Sequence, residues 1–262
     1  MISVITPTYN SEEYLEECIK GMMSQTYRDF EHIIVDGGSK DGTLEIIKKY
    51  EGKYPMRWIS EKDNGMYDAI SKGFKMAKGD VFCWINSDDM YMPWTLATIN
   101  KVINKEVNGH KVQWCVGLGS RYTEDGINYV VGKGIQVFPH QFIRKGWHNG
   151  PKLGCLQQES SFWSRALYES VGGIDTHFKL AGDFDLWKRF AEKERLYSIN
   201  SVVSGFRIHE GQKSGDRLAY LNEEGGMKSY ERVLAKLKIY KIIDRIVSVR
   251  SKDLAIHVEE LN

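Results

Sequence analysis

No stretch of this 262-residue chain approaches the ~20 consecutive apolar residues that a membrane-spanning helix needs. Cysteine is sparse: Cys18, Cys83, Cys115 and Cys155 stand far apart, with no CxxC pair. That spacing argues against a zinc site and for reduced thiols in a cytosolic protein. Charge of neither sign dominates, since 36 Lys and Arg face 35 Asp and Glu. No overall field therefore draws the chain to nucleic acid. The opening MISVITPTYN lacks a charged region followed by a long apolar run, so no signal peptide is expected. Internal repeats and low-complexity segments are absent as well.

What the chain does have is aromatic weight and order. Seven Trp and fourteen Tyr suit a ring-binding cleft, though most of them, Trp84 and Trp187 included, are expected in the core. Over the first hundred residues, strand and helix patterns alternate. Strands are predicted at 2–5, 31–35, 57–60 and 81–85, with helices after Asn10, over 44–50 and over 66–77. Asn10 with Glu13 resembles a capping pair, and Gly79 suits a left-handed position beyond the third helix. This βαβα order implies a mostly parallel sheet with helices on both faces. Ligands of such sheets sit beyond the carboxyl ends of the strands. Asp36 and the pair Asp88 and Asp89 end two of them.

The second half is less regular. Gln113–Leu118 and Ile127–Val131 are expected to pair across Thr123–Gly126, where Asp125-Gly126 signals a hairpin. Ser164 should cap a helix that Gly172-Gly173 stops, a further helix follows over 184–193, and a strand is expected over 201–208.

The stretch FCWINSDDMYM ends a buried strand in two adjacent carboxylates, which resist joint ionisation unless a cation or hydrogen bonds compensate. Taken alone it is equally an acidic turn before a helix with Pro93 in its first position. Asp36 before Gly-Gly is, on its own fragment, a turn residue. Four clusters in order, ITPTYN, IIVDGGSKDGT, WINSDD and LAGDFDLWKRF followed by FRIH, are more specific. Together they resemble the family 2 glycosyltransferases, inverting enzymes of the GT-A fold, over residues 1–215, and particularly the bacterial members that build envelope polysaccharides.

The resemblance implies the following roles. Thr6, Pro7 and Tyr9 form the loop under a nucleotide base, normally uracil, and Asp36 accepts a hydrogen bond from it. Asp63 lies against the nucleotide or sugar. Asp88 contacts the ribose, while Asp89, with His209 as a late ligand, holds a divalent cation, Mn²⁺ or Mg²⁺. Asp183 is the general base, and Asp185 a solvated or capping neighbour. The chain departs from the family pattern at Asn86, at Gly182, at Ile70-Ser71 and at Gln157-Gln158. The chemistry is coherent without the name: a hard cation offsets the charge on a leaving diphosphate, and a carboxylate takes the acceptor's proton. No Ser-His-Asp or reactive-Cys arrangement stands out, and single displacement needs no enzyme nucleophile.

The expected organisation is one GT-A domain over 1–215, with a nucleotide-sugar-binding half over 1–110 and an acceptor-facing half over 111–215. A helical tail follows over 216–262. The expected partners are a nucleotide-sugar donor, a UDP-sugar first, and a saccharide or lipid-linked saccharide acceptor. Rivals are a non-catalytic sugar-nucleotide-binding or scaffold protein and a nucleotidyltransferase. The latter needs a Gly-rich basic loop, where ITPTYNSEEY is acidic. An aspartyl phosphatase lacks its second Asp after Asp36. The tail is basic, with Ile239, Ile242, Ile243, Ile246 and Val247 on one broad helical face. Its alternatives are a membrane surface, which would make a cytoplasmic protein peripheral to the membrane, the domain itself, or another subunit of a homo-oligomer.

Overall fold

The structure is a computed structural model that describes residues 1–123, 128–130, 134–212, 215–249 and 251–261. Its first half runs β1 (Ile2–Thr8), α1 (Leu15–Met23), β2 (Phe30–Asp36), α2 (Thr43–Tyr50), β3 (Met56–Ser60), α3 (Met66–Met76), β4 (Val81–Trp84), β5 (Met90–Tyr91) and α4 (Thr95–Val102). A small hairpin, β6 (Glu106–Val107) and β7 (His110–Lys111), leads to β8 (Trp114–Leu118), β9 (Ser120–Tyr122) and β10 (Asn128–Val130). Then come α5 (His140–Arg144), β11 (Asn149–Gly150), β12 (Gly154–Cys155), β13 (Ser161–Ser164), α6 (Arg165–Ser170) and α7 (Gly182–Lys193). β14 (Tyr197–Val202) and β15 (Ser204–Arg207) precede α8 (Arg217–Glu223), α9 (Ser229–Lys236), α10 (Ile239–Val249) and β16 (Ala255–Ile256).

Eight strands form the central sheet, in the order β16-β14-β8-β13-β4-β1-β2-β3. All neighbours are parallel except β13, which runs against both β8 and β4. β1 and β2 are buried along their whole length, as a central parallel pair must be. One face carries α3 and α7 over Ile5, Ile33 and Val35. The other carries α1, α2 and α4 over Val4, Ile34 and Cys83. Trp84 and Trp187 stack 5.9 Å apart in this core, as expected of them. A second sheet, β10-β9-β15-β5, lies at the end of β4. Together these are the layers of a GT-A fold.

Local expectations divide. Ser164 caps α6 by accepting the Leu167 N–H, and Gly172 and Gly173 end that helix at φ 79° and 77°. Asn10 and Glu13 do not cap α1, which starts after Tyr14 with no side-chain cap. Asn10 instead takes φ 48° and accepts the Lys40 N–H, tying its loop to the next one. Gly79 is not left-handed; a Cβ there would meet the Met1 carbonyl at 2.7 Å, so close chain approach requires it. Pro93 stands ahead of α4 rather than in its first turn.

The strand expected over 201–208 is two strands in two sheets, parted at buried Val203. Likewise the partner of β10 is β9, while β8 belongs to the central sheet. The expected Asp125-Gly126 turn lies outside the described residues. The tail is helical and then returns as β16, parallel to β14 at the sheet edge. All four cysteines are free, and Cys155 alone is exposed. Among the described residues, no helix is long and apolar enough to cross a membrane.

Candidate active site

The carboxyl ends of β1, β2, β3 and β4 meet at one rim. Asp36 closes β2 and is fully buried. Its Oδ2 accepts the N–H groups of Gly38 and Ser39 at 3.0 Å and the Ser60 hydroxyl at 2.6 Å, while Oδ1 accepts the Ser39 hydroxyl. Asp36 thus organises the glycine-rich loop whatever else it binds. Thr6 is buried below the rim, its Oγ1 2.9 Å from His32 Nε2, and it supports the loop from within. Pro7 and Thr8 follow, buried, and the Gly37 N–H donates to the Thr8 carbonyl at 2.9 Å.

Tyr9 turns outward, 60% exposed. A Cβ on Gly37 would stand 3.3 Å from the Tyr9 ring and 2.6 Å from Asp63 Oδ2. Tyr9, Gly37 and Asp63 therefore border one narrow space that only glycine keeps open. The Gly65 N–H fixes Asp63 by donating to Oδ1 at 2.9 Å.

The acidic turn after β4 is held from β15. The Arg207 N–H donates to Asp89 Oδ1 at 2.9 Å, and its Nε donates to the Asp88 carbonyl at 2.9 Å. The guanidinium is buried between the Tyr14 and Tyr122 rings, at 4.6 and 5.0 Å, and pairs with Glu17 on α1 at 2.5 Å. Asp89 Oδ2 is buried with no hydrogen-bond partner. Burial first, then the Asp88 and Glu159 carboxylates, push the Asp89 carboxyl well above its ordinary range.

His209 Nε2 lies 3.0 Å from Asp88 Oδ2, so the histidine meets Asp88 rather than Asp89. Its Nδ1 donates to the Glu210 carbonyl at 2.8 Å, a second contact that fixes the ring's orientation. Among the described residues, no three His, Cys, Asp or Glu side chains are grouped closely enough to hold a metal by themselves. The orphaned Asp89 oxygen beside the Asp88 turn is the kind of donor a hard cation takes when diphosphate oxygens supply the rest of its shell.

Asp183 lies in the first turn of α7, half-buried. Tyr220 on α8 donates to its Oδ1 at 3.3 Å. The Asp183 N–H donates to the Tyr67 hydroxyl at 3.3 Å, and that hydroxyl donates to the Leu180 carbonyl at 2.7 Å. Glu223, on the same tail helix, accepts the N–H groups of Lys179, Leu180 and Ala181 at 2.6 to 2.7 Å and so fixes the entry to α7. The helix start favours the ionised form of Asp183, yet burial outweighs it and raises the carboxyl to about 6. Gly182 leaves room for Tyr67, whose ring would be 2.8 Å from a Cβ there. Asp185 is neither solvated nor a cap: it pairs with Arg189 at 2.7 Å, half-buried. Ile70 is wholly buried and offers nothing to a phosphate.

The residues that sequence reasoning passed over are Glu159, Tyr67, Tyr220 and Glu223. Glu159 is buried, its Oε1 has no partner, and burial with repulsion from Asp183 and Asp88 raises it to about 8. Next to it, Gln158 donates to the Trp84 carbonyl at 2.6 Å, which sets this segment against the end of β4. The available signal was an acidic residue two positions before the buried strand SFWS. For Tyr220 and Glu223 there was none, because only the fold returns the tail to α7.

Residues 3–140 match the family model described as glycosyl transferase family 2. The chain belongs to that family. It is 29% identical over 240 residues to an uncharacterized glycosyltransferase of Rickettsia prowazekii, covering 85% of this chain and 69% of that protein. An uncharacterized glycosyltransferase of Mycobacterium tuberculosis is 30% identical over 208 residues, 78% of this chain and 74% of its own length. Among solved structures, residues 1–349 of S. aureus TarS in complex with UDP-GlcNAc superpose with a TM-score of 0.64 at 20% identity. That match covers 82% of this chain and 60% of the TarS chain. The mannosyltransferase PcManGT from Pyrobaculum calidifontis, in complex with GDP-Man and Mn²⁺, gives 0.60 at 20% identity, with 85% and 60% coverage. These two structures support the fold.

Proposed function

We propose that this family 2 glycosyltransferase moves a sugar from a nucleoside-diphosphate donor, a UDP-sugar first, to an acceptor hydroxyl, inverting the anomeric carbon, in cell-surface polysaccharide synthesis. The observation that carries the reading is the convergence of two carboxylate sites from separate elements. The Asp88–Asp89 turn follows β4, Asp183 starts α7, and Glu159 feels the charge of both. One cluster suits a leaving diphosphate and the other an entering hydroxyl.

In this reading Tyr9, Gly37 and Asp63 enclose the base and ribose, with Asp36 and Thr6 shaping the loops behind them. Asp88, Asp89 and His209 would hold a divalent cation, which when bound supplies Lewis acidity to the departing diphosphate. Asp183, once ionised, accepts the acceptor's proton as its oxygen attacks from the side away from the leaving group. The Tyr220 hydroxyl, donating to Asp183 Oδ1, favours the ionised form that the base needs. The TarS complex with UDP-GlcNAc and the PcManGT complex with GDP-Man and Mn²⁺ support the donor class and the cation. A relative from Mycobacterium bovis, 28% identical over 188 residues and named a PGL/p-HBAD biosynthesis glycosyltransferase, supports a biosynthetic role.

A thermal-shift panel of nucleotide sugars, with and without Mn²⁺, tests the proposal, because a ligand of the native state raises its Tm. A UDP-sugar with Mn²⁺ should give the largest rise. No shift with any nucleotide sugar would contradict the reading. A shift without any release of UDP, in the presence of acceptor or of water alone, would favour the binding-protein alternative.

A further inference from the structure

The helices α9 and α10 are anchored by one side only. Tyr240 is buried against Trp147, ring centroids 4.8 Å apart, within a cluster that includes Phe142 and Leu153. Lys152 crosses from the domain to Glu231 at 2.9 Å. What the pair leaves outside is unusual in composition. Of the eleven residues exposed between Tyr230 and Val249, five are cations, Arg232, Lys236, Lys238, Lys241 and Arg245, and six are large apolar or aromatic side chains. The two acids of this stretch are turned away from solvent: Glu231 binds Lys152, and half-buried Asp244 accepts the Ser248 hydroxyl at 3.1 Å.

On α10, Ile242, Ile246 and Val249 are 52%, 59% and 65% exposed at spacings of four and three, one continuous helical stripe. Lys241 and Arg245 run beside it. On α9, Val233 with Leu237 just past its end repeats the pattern, with Arg232 and Lys236 beside them. A soluble surface rarely gathers this much apolar area without a partner. The long Lys and Arg stems can lie along apolar surface while their charges reach outward.

We infer that this face docks on an anionic membrane surface, holding the domain at the bilayer. Stable adsorption takes two signals, a buried apolar stripe and attraction to anionic lipid, and this face supplies both. A second copy of the chain is a poorer occupant. A two-fold contact through this patch would bring five cations against five others, and like charges facing each other oppose association. The inference does not depend on the sugar-transfer reading, since its observations lie outside the active-site rim.

The test is flotation of the full chain with phosphatidylglycerol-containing phosphatidylcholine vesicles and with phosphatidylcholine vesicles alone. The chain should float with the first and not the second, and added salt should weaken the binding. The double substitution Ile242→Ser with Ile246→Ser should cut the bound fraction several-fold, and so should Lys241→Glu with Arg245→Glu. Both variants should keep the wild-type melting curve, because these side chains are already exposed. Absence of binding to the anionic vesicles would overturn the inference, as would undiminished binding by both variants. A dimer seen by sedimentation without lipid, and lost in the isoleucine variant, would reassign the face to a protein interface.

Discussion

Asp89 accepts the backbone N–H of Arg207 at 2.9 Å through Oδ1, and its other oxygen, Oδ2, is buried without a hydrogen-bond partner. A carboxylate so placed has one oxygen fixed and one left for a ligand. Calorimetry of UDP with Mn²⁺ and with EDTA should therefore show tighter binding with the metal, and Asp89→Ala should abolish the difference. Equal UDP affinity in both conditions would remove the cation from the account.

Arg207 is a positioning residue for the same turn: its guanidinium joins Glu17 on α1 to the Asp88 carbonyl, while its backbone N–H, which a substitution keeps, holds Asp89. Partners of metal ligands typically change affinity by ~10–100-fold when removed. Arg207→Ala should lower Mn²⁺ affinity in the UDP complex within that range, as read by electron paramagnetic resonance of free Mn²⁺. Arg207→Lys should recover only part, since an ammonium cannot reproduce the guanidinium contacts. Unchanged affinity in Arg207→Ala would leave the arginine a purely structural group.

Glu159 offers a test in stability. Burial raises its carboxyl from 4.5 to about 8, so between those values the folded state holds a proton that the unfolded state has released. Its contribution is present below the unfolded value and is lost as pH rises through the folded one. Glu159→Gln should flatten the decline of Tm over that window, with little change at pH 4. A decline as steep in the variant as in the parent would show that Glu159 ionises freely in the fold.

As the proposed base, Asp183 should set the acid limb of turnover. With its carboxyl near 6, the ionised fraction that can accept a proton shrinks as pH falls below that value. The Tyr220 hydroxyl favours the ionised form, so Tyr220→Phe should move the limb to higher pH. A limb unchanged by Tyr220→Phe would separate the tail helix from the base.

Much of the fold was legible because β1, β2 and β4 are short, largely apolar runs that give way to polar turns, and α3 and α7 carry clear helical stripes. The Asp36 and Asp88–Asp89 rim followed from strand order. Less legible was whatever depends on residues brought together from afar. Val203 divides one apparent strand between two sheets because Ser204 pairs with Tyr91, more than a hundred positions earlier. Asn10 looked like a cap but serves a loop-to-loop contact that only β1 and β2 side by side can create. Glu159 gave a weak signal, an acid two positions before a buried strand, whose meaning needed Asp88 and Asp183 in place. Asp185 pairs with Arg189 one turn later, a spacing visible in the sequence, but its half-buried setting needed the fold.

The most direct measurement compares Asp183→Asn with Asp185→Asn by the rate of acceptor-dependent UDP release, with donor binding checked by thermal shift. Asp183→Asn should fold, bind donor as the parent does, and turn over ~10²–10⁴ times more slowly, the usual range for loss of a general base. Asp185→Asn should cost far less. Near-normal turnover in Asp183→Asn with Asp185→Asn inactive would move the base by two residues. Near-normal turnover in both variants would contradict the account, leaving the displacement without its proton acceptor.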